Sequence, residues 1–237
     1  MRLLAVNDDG IECDGIIALA QAFEAAGHEV IVVAPDKERS GASHCISLSS
    51  GIKIKELKKN FWACSGAPAD CVIAALSGGF IPKPDAVISG INAGANLGTD
   101  LVYSGTAAGA RQAALTGLPG FAFSQTGMFP FDFCAAANWA AAHFKELLAL
   151  WDKDVFINVN FPPVIHPGFE LCVPSQRLYT DHVTVSEAAG GWKKLEFNAF
   201  EMQSNDLEGT DGRVCARGIV AVSRILIQPV SKPCGDL

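Results

Sequence analysis

Two adjacent carboxylates, Asp8 and Asp9, follow the first apolar run of the chain, residues 3–6. Neighbouring residues on a strand point to opposite faces, so these side chains converge only if the chain turns, and Gly10 permits that turn. Carboxylates held together repel each other unless a cation or a shared proton lies between them. The pair predicts a site for a hard divalent ion, and the alternative is that one of them caps the following helix.

Two neutral oxygen donors occupy other predicted strand-end loops. Ser40 lies in the polar loop after the second strand, and Asn92 follows the strand at residues 86–89. Two carboxylates with neutral oxygens and water suit Mg²⁺, Mn²⁺ or Ca²⁺, whereas Zn²⁺ favours the His and Cys that these loops lack. Taken singly, Ser40 and Asn92 are each better explained as turn residues.

Ser104, Gly105 and Thr106 open a predicted helix. Free amide hydrogens, two hydroxyls and the positive end of the helix dipole favour a phosphate group there, and an ordinary helix cap is the alternative. The glycines at 90, 94 and 98 are spaced by four, so the dinucleotide-binding pattern G-x-G-x-x-G is absent.

The elements that must position these residues alternate between short apolar runs and helical patterns, which is typical of a parallel sheet. The predicted strands are 3–6, 30–34, 86–89, 121–124, 155–159 and 219–227, and the predicted helices are 16–26, 68–76, 105–116 and 132–150. Ligands bind outside the carboxyl ends of strands in such sheets, so the polar loops are expected to meet at one edge.

The pattern changes at residues 176–200, where alternation on either side of residues 188–191 predicts a β-hairpin. This arm carries more apolar surface than a solvated hairpin should show, so the chain's own core or a partner subunit must cover it. Its apolar residues include Val183, Val185, Trp192, Leu195, Phe197 and Phe200. Without repeats or linkers, residues 1–237 are predicted to form one α/β domain from which the arm at 176–200 protrudes.

Composition narrows the function classes. The 237 residues are 49% hydrophobic and 18% charged, which is typical of a compact soluble protein. Their net charge of −7 and lack of a basic run argue against nucleic acid polymers and anionic membranes as partners. The opening apolar run is too short for a signal peptide, and the eight cysteines form no C-x-x-C pair, so we expect a cytoplasmic protein with reduced thiols.

Six motifs in fixed order resemble the survival protein E (SurE) family of metal-dependent 5'/3'-nucleotidases. They are NDDG at 7–10, Pro35-Asp36 with residues 39–43, and the segments 65–72, 89–98, 103–106 and 158–160. The ordered set is specific and covers most of the chain to about residue 160. Gln112-Ala113 stands where the family usually carries Glu-Gly, and Gln228-Pro229 stands where Thr-Pro is common.

The resemblance implies a Rossmann-like, doubly wound α/β fold and one divalent ion, Mg²⁺ or Mn²⁺, held by the positions that match Asp8, Asp9, Ser40 and Asn92. It also implies hydrolysis of nucleoside monophosphates, with short polyphosphate as a side substrate, and a homodimer or homotetramer with exchanged arms. Asp8 and Asp9 are then catalytic as well as metal-binding, because the ion activates water and the phosphate.

Residues Ser104, Gly105 and Thr106 are predicted to bind the substrate phosphate, and His44 is a weak candidate for protonating the leaving group. Two other functions remain open. An aspartyl-phosphate phosphatase needs acids separated by one residue, whereas Asp8 and Asp9 are adjacent. A non-catalytic nucleotide-binding module on the same fold is the second alternative.

Overall fold

A computed structural model describes residues 1–197 and 201–230. The strands in these ranges are β1 (Arg2–Val6), β2 (Glu29–Pro35), β3 (Ile54–Lys58), β4 (Phe61–Cys64), β5 (Ala86–Ala93), β6 (Gly120–Gln125), β7 (Val155–Phe161), β8 (Phe169–Leu171), β9 (Gln176–Thr180), β10 (Val183–Glu187), β11 (Lys193–Phe197), β12 (Glu201–Asn205) and β13 (Val220–Leu226). The α-helices are α1 (Asp14–Ala25), α2 (Pro68–Ser77), α3 (Gly105–Leu115), α4 (Phe133–Ala142), α5 (Phe144–Leu150) and α6 (Asp211–Ala216).

Nine strands form one sheet in the order β3-β4-β2-β1-β5-β6-β7-β13-β8. Six adjacent strands of this order run parallel to one another: β4, β2, β1, β5, β6 and β7. The pairs β3–β4 and β7–β13 are antiparallel. The order reverses between β1 and β5, which is the switch point of a doubly wound sheet. The predicted doubly wound, mostly parallel α/β fold is confirmed.

Both faces of the sheet are covered by helices, which explains why the central strands are continuously apolar. On β1, Leu3 and Ala5 face the cluster that includes α1 and α4, while Leu4 and Val6 face the cluster built from α2 and α3. Alternate side chains of one strand thus contribute to the hydrophobic cores on both faces of the sheet. The polar groups follow at the end of the strand.

The predicted helix at 132–150 is divided at His143 into α4 and α5. The ring of His143 stacks on Trp139, with 4.0 Å between the centroids. Phe144 turns inward against Phe23 and Phe121, each with its ring centroid 5.0 Å away. Burying this aromatic side chain redirects the backbone, although the sequence contains neither Gly nor Pro at that point.

The predicted hairpin is present. β10 pairs with β11 in the antiparallel sense, and β9 pairs with β12 nearer the sheet. Every residue of β10 and β11 is exposed. Residues 198–200 of the predicted arm, including Phe200, lie outside the described residues, as does Cys234. The single-domain assignment of residues 1–237 stays a prediction.

None of the seven cysteines in the described ranges is paired in a disulfide, and the reduced state stays a prediction. No helix among the described residues has the length and apolar character needed to cross a membrane.

Candidate active site

A tight turn after β1 presents the carboxylate pair. Asn7 Nδ2 donates a hydrogen bond to the Gly10 carbonyl at 2.8 Å, and the Gly10 amide donates back to Asn7 Oδ1 at 3.3 Å. Gly10 has a φ of +116°, which side-chain-bearing residues rarely adopt. The Arg39 amide donates to the Asp8 carbonyl at 2.7 Å, so the loop after β2 is fixed against this turn.

The Asp8 carboxylate is buried against the start of α3. Thr106 Oγ1 donates a hydrogen bond to Asp8 Oδ1 at 2.5 Å. Burial raises the pKa of Asp8, while hydrogen bonds from the Thr106 hydroxyl and from the amides of Thr106 and Gly105 lower it. A Cβ on Gly105 would lie only 2.8 Å from Asp8 Cβ, so this close approach requires glycine.

Asp9 is half-buried beside Asp8. Burial and the charge of Asp8 raise the pKa of Asp9 to about 6, and the negative charge of Glu38 acts in the same direction. The Ala93 amide opposes this shift through a weak hydrogen bond, 3.4 Å from Asp9 Oδ2. The two carboxylates therefore repel each other, and a bound divalent cation would relieve this repulsion.

Ser40 and Asn92 lie on the same cavity as Asp8 and Asp9, so the structure brings the four predicted metal ligands to one place. The cavity has a volume of about 920 Å³. Asn92 Nδ2 donates to the Gly94 carbonyl at 3.0 Å, which leaves the amide oxygen as the donor atom for a cation. Among the described residues, no three His, Cys, Asp or Glu side chains form a metal-binding cluster, so a metal here would depend on the neutral ligands.

The three predicted phosphate-binding residues occupy different environments. Ser104 lines the cavity and caps α3, since its Oγ accepts a hydrogen bond from the Ala107 amide at 3.0 Å. Gly105 and Thr106 do not line the cavity, and Thr106 is fully buried with its hydroxyl engaged by Asp8. The structure therefore gives Thr106 a place supporting Asp8, rather than a place facing the cavity as the sequence suggested.

The glycine-rich segment after β5 is held by asparagines from β7. The Asn96 carbonyl accepts hydrogen bonds at 3.0 Å from Nδ2 of both Asn158 and Asn160. The Asn96 amide donates to Asn160 Oδ1 at 2.9 Å. The motif at 158–160 thus positions the loop that follows Asn92 and does not itself line the cavity.

His44 is half-buried and lies away from the cavity lining. Its Nε2 is 2.8 Å from Oε1 of Gln112, the residue that stands where the SurE family usually carries Glu. The position of His44 therefore gives no support to a role in protonating the leaving group.

The base of the arm, together with Asp100 from the segment after β5, supplies a cavity wall that the sequence did not predict. Asp100, Tyr179 and Asp181 line the cavity. Asp100 accepts hydrogen bonds from Arg177 Nη1 at 2.7 Å and from the Tyr179 hydroxyl. These groups are almost 80 positions apart, so no local pattern could have identified the contact.

The cavity is strongly acidic. Among the described residues that line it, none is Lys, Arg or His. Its carboxylates are Asp8, Asp9, Glu12, Asp14, Glu38, Asp100 and Asp181. A phosphate group entering such a cavity meets only negative side-chain charge, unless a cation is bound.

Aromatic side chains form another part of the lining. Phe129, Phe131 and Phe133 come after β6, the strand that pairs with β5 in the sheet. Their alternate positions in the segment after β6 are visible in the sequence, although they were not among the predicted site residues.

Comparisons with known proteins agree with this architecture. A family model described as "Survival protein SurE" matches residues 3–181. A protein named 5'-nucleotidase SurE from Treponema pallidum is 47% identical over 68% of this chain and 89% of its own length. Another of that name from Pelobacter propionicus is 38% identical over 94% of this chain and 92% of its own length. The crystal structure of the SurE protein from Aquifex aeolicus superposes with a TM-score of 0.82 at 30% identity, covering 98% of this chain and 95% of that one.

Proposed function

The chain belongs to the SurE family, and from this membership we propose that it is a metal-dependent 5'/3'-nucleotidase that hydrolyses nucleoside monophosphates to nucleoside and phosphate. The observation that carries the proposal is the carboxylate pair Asp8 and Asp9 at the switch point, facing a cavity in which none of the described lining residues is Lys, Arg or His. A binding site for phosphate built without Lys, Arg or His needs another source of positive charge.

Asp8, Asp9, Ser40 and Asn92 would hold one divalent ion, Mg²⁺ or Mn²⁺. The donor set fits, because two carboxylates and two neutral oxygens match the oxygen preference of these ions. When bound, such an ion stabilises the phosphoryl oxygens and lowers the pKa of water for in-line attack.

The chain's own groups then have separate tasks. The Thr106 hydroxyl and the α3 amides fix the orientation of Asp8, so that its carboxylate is preorganised. Asp9, the more accessible acid, would orient the attacking water. Ser104 Oγ lies at the cavity surface, where it would contact a phosphate oxygen.

The cavity volume falls within the range of small-molecule sites and suits a nucleoside monophosphate. Short polyphosphate is proposed only as a side substrate, because each added phosphate brings more negative charge to a lining rich in carboxylates. We propose the cytoplasm as the location of this protein.

We also propose a homodimer, or a homotetramer built from dimers, joined through the arms. Trp192 and Phe197 are 76% and 78% exposed in the single chain, with Val185 and Leu195 exposed beside them. Exposed apolar surface of this kind is typical of an interface, and symmetric dimers are the commonest soluble assembly.

A hydrolysis screen tests the enzymatic proposal. Phosphate release is measured from 5'- and 3'-nucleoside monophosphates and from short polyphosphate, with Mg²⁺, Mn²⁺, Co²⁺ or Zn²⁺ and with a chelator. Monophosphate hydrolysis that the chelator abolishes is the expected result. Nucleotide binding without turnover under every metal would instead indicate the non-catalytic module, and a trapped acyl-phosphate would indicate an aspartyl enzyme.

A further inference from the structure

The segment between β6 and α4 brings aromatic rings to the cavity from a strand next to the proposed metal site. In the pairing of β5 with β6, Asn92 lies opposite Ser124 and Ala93 lies opposite Gln125. Phe129 and Phe131 follow within a few residues and line the same cavity as Asp8 and Asp9. One cavity thus combines a carboxylate end with an aromatic wall.

This aromatic segment is anchored at both ends. At its start, the Thr126 amide donates to the Phe161 carbonyl at 2.8 Å. At its end, Asp132 Oδ1 accepts a hydrogen bond from the Ala135 amide at 2.9 Å and caps α4. The loop that carries the rings is therefore fixed by hydrogen bonds at both ends.

The two inner rings support each other. The Phe131 and Phe133 centroids are 5.5 Å apart, with an angle of 31° between the ring planes. Phe133 packs against the main hydrophobic core, so Phe131 rests on a fixed neighbour. Phe129 is 85% exposed, although it lines the cavity. A ring that is exposed at this cavity, beside the proposed metal site, is available to stack on an occupant with a flat apolar face.

We propose that Phe129 and Phe131 form a stacking platform for the nucleobase, so that this chain selects nucleotides over other phosphate monoesters by their base. The inference rests on the proposed nucleotidase function and adds the base-recognition element to it. Every base has a π-face that can stack on an aromatic side chain. With no Lys, Arg or His among the described lining residues, the rings and not a cation supply this recognition.

The test compares two substrates that differ only by the base, adenosine 5'-monophosphate and ribose 5-phosphate. The ratio of their kcat/KM values is measured for the wild type, Phe131→Ala, Phe129→Ala and Phe131→Tyr. Met128→Ala is the matched control, because Met128 belongs to the same loop and is 88% exposed but does not line the cavity. Equilibrium dialysis of adenosine against each protein gives a second readout that needs neither metal nor turnover.

We expect Phe131→Ala to lower the ratio by about 5- to 140-fold, the range that stacking energies per base imply. We expect Phe129→Ala to lower it as well, and Phe131→Tyr and Met128→Ala to retain it. Adenosine affinity should follow the same order, and adenosine 5'-monophosphate turnover should fall more than ribose 5-phosphate turnover.

An unchanged ratio in both alanine variants, with both substrates hydrolysed, would overturn the platform and leave the nucleotidase proposal standing. Equal losses in Phe131→Ala and Met128→Ala would also overturn it, since a general disturbance of the loop would then explain them. If the wild type hydrolyses neither substrate, the nucleotidase proposal fails, and the adenosine dialysis alone decides whether the rings bind a base.

Discussion

Thr106 Oγ1 and Asp8 Oδ1 are joined by a hydrogen bond of 2.5 Å that is closed off from solvent, with Asp8 only 3% exposed and Thr106 fully buried. The bond links the end of β1 to the first turn of α3 across the sheet's switch point. Because the positive end of the α3 dipole also faces Asp8, the helix start stabilises a protein carboxylate. Because its hydroxyl is bound to Asp8, Thr106 is expected to affect metal binding and not to contact the substrate phosphate.

Replacing Asp8 or Asp9 by Asn should lower nucleotide hydrolysis by more than about 100-fold, because removing a ligand charge exceeds the 10- to 100-fold effect of outer-shell changes. The fold should persist, as judged by circular dichroism. Metal binding is measured by isothermal titration calorimetry alongside turnover. Near-normal turnover by either variant at low metal concentration would refute the ligand assignment.

Ser40→Ala and Asn92→Ala should weaken metal binding less than Asp8→Asn does, since neutral oxygens bind a hard cation less strongly than carboxylates. Calorimetry with Mn²⁺ ranks the three variants. A greater loss of affinity in either neutral-ligand variant would reverse the proposed ranking.

Thr106→Val should lower metal affinity by about 10- to 100-fold, because it removes the hydroxyl that orients Asp8. It should also reduce the free energy of unfolding by about 1–3 kcal/mol, since a buried acceptor loses its donor. Thr106→Ser keeps the hydroxyl and serves as the control for both measurements. A rise in KM with unchanged metal affinity would instead restore the phosphate-binding role suggested by the sequence.

Arg177→Met should destabilise the protein by about 3 kcal/mol and raise KM for nucleotides. Arg177 and Asp100 are each only 12% exposed, so the change leaves a mostly buried carboxylate without its cation and loosens the wall formed by Tyr179. Arg213→Met, which breaks a well-exposed ion pair with Glu208, is the matched control and should alter neither property. Denaturant unfolding and steady-state kinetics measure both effects, and equal behaviour of the two variants would contradict the role of Arg177.

Replacing residues 183–197 by a short Gly-Ser bridge should convert the proposed oligomer to a monomer or an aggregate, because it removes the exposed apolar surface of β10 and β11. Sedimentation velocity compares the intact and shortened chains. If the intact protein sediments as a monomer at micromolar concentration, the arms do not hold a dimer.

The polar strand ends were predictable because the chemistry is local. Asp8 and Asp9 are adjacent in the sequence, Gly10 marks their turn, and the parallel pattern places Ser40 and Asn92 at the same sheet edge. The central strands were equally readable, since burial on both faces makes them continuously apolar.

The remaining features depend on distant contacts. The break at His143 follows from where Phe144 packs, and the cavity wall at Asp100 depends on Arg177 from the arm. The edge strands β3 and β8 are short and partly exposed, so their apolar signal is weak. A helix start alone predicts phosphate binding at Thr106, because the local sequence does not reveal that Asp8 already occupies this helix end.

The order in which the cavity residues occur along the sequence has a consequence for biosynthesis. The proposed metal ligands and the donors to the Asp8 side chain all lie within residues 8–106, whereas the aromatic wall and Tyr179 come later in the chain. Translation proceeds from the N-terminus at about 5–20 residues per second, so about 1–5 seconds separate Thr106 from Phe129. A growing polypeptide on the ribosome thus carries every proposed metal ligand before it carries the aromatic wall and Tyr179.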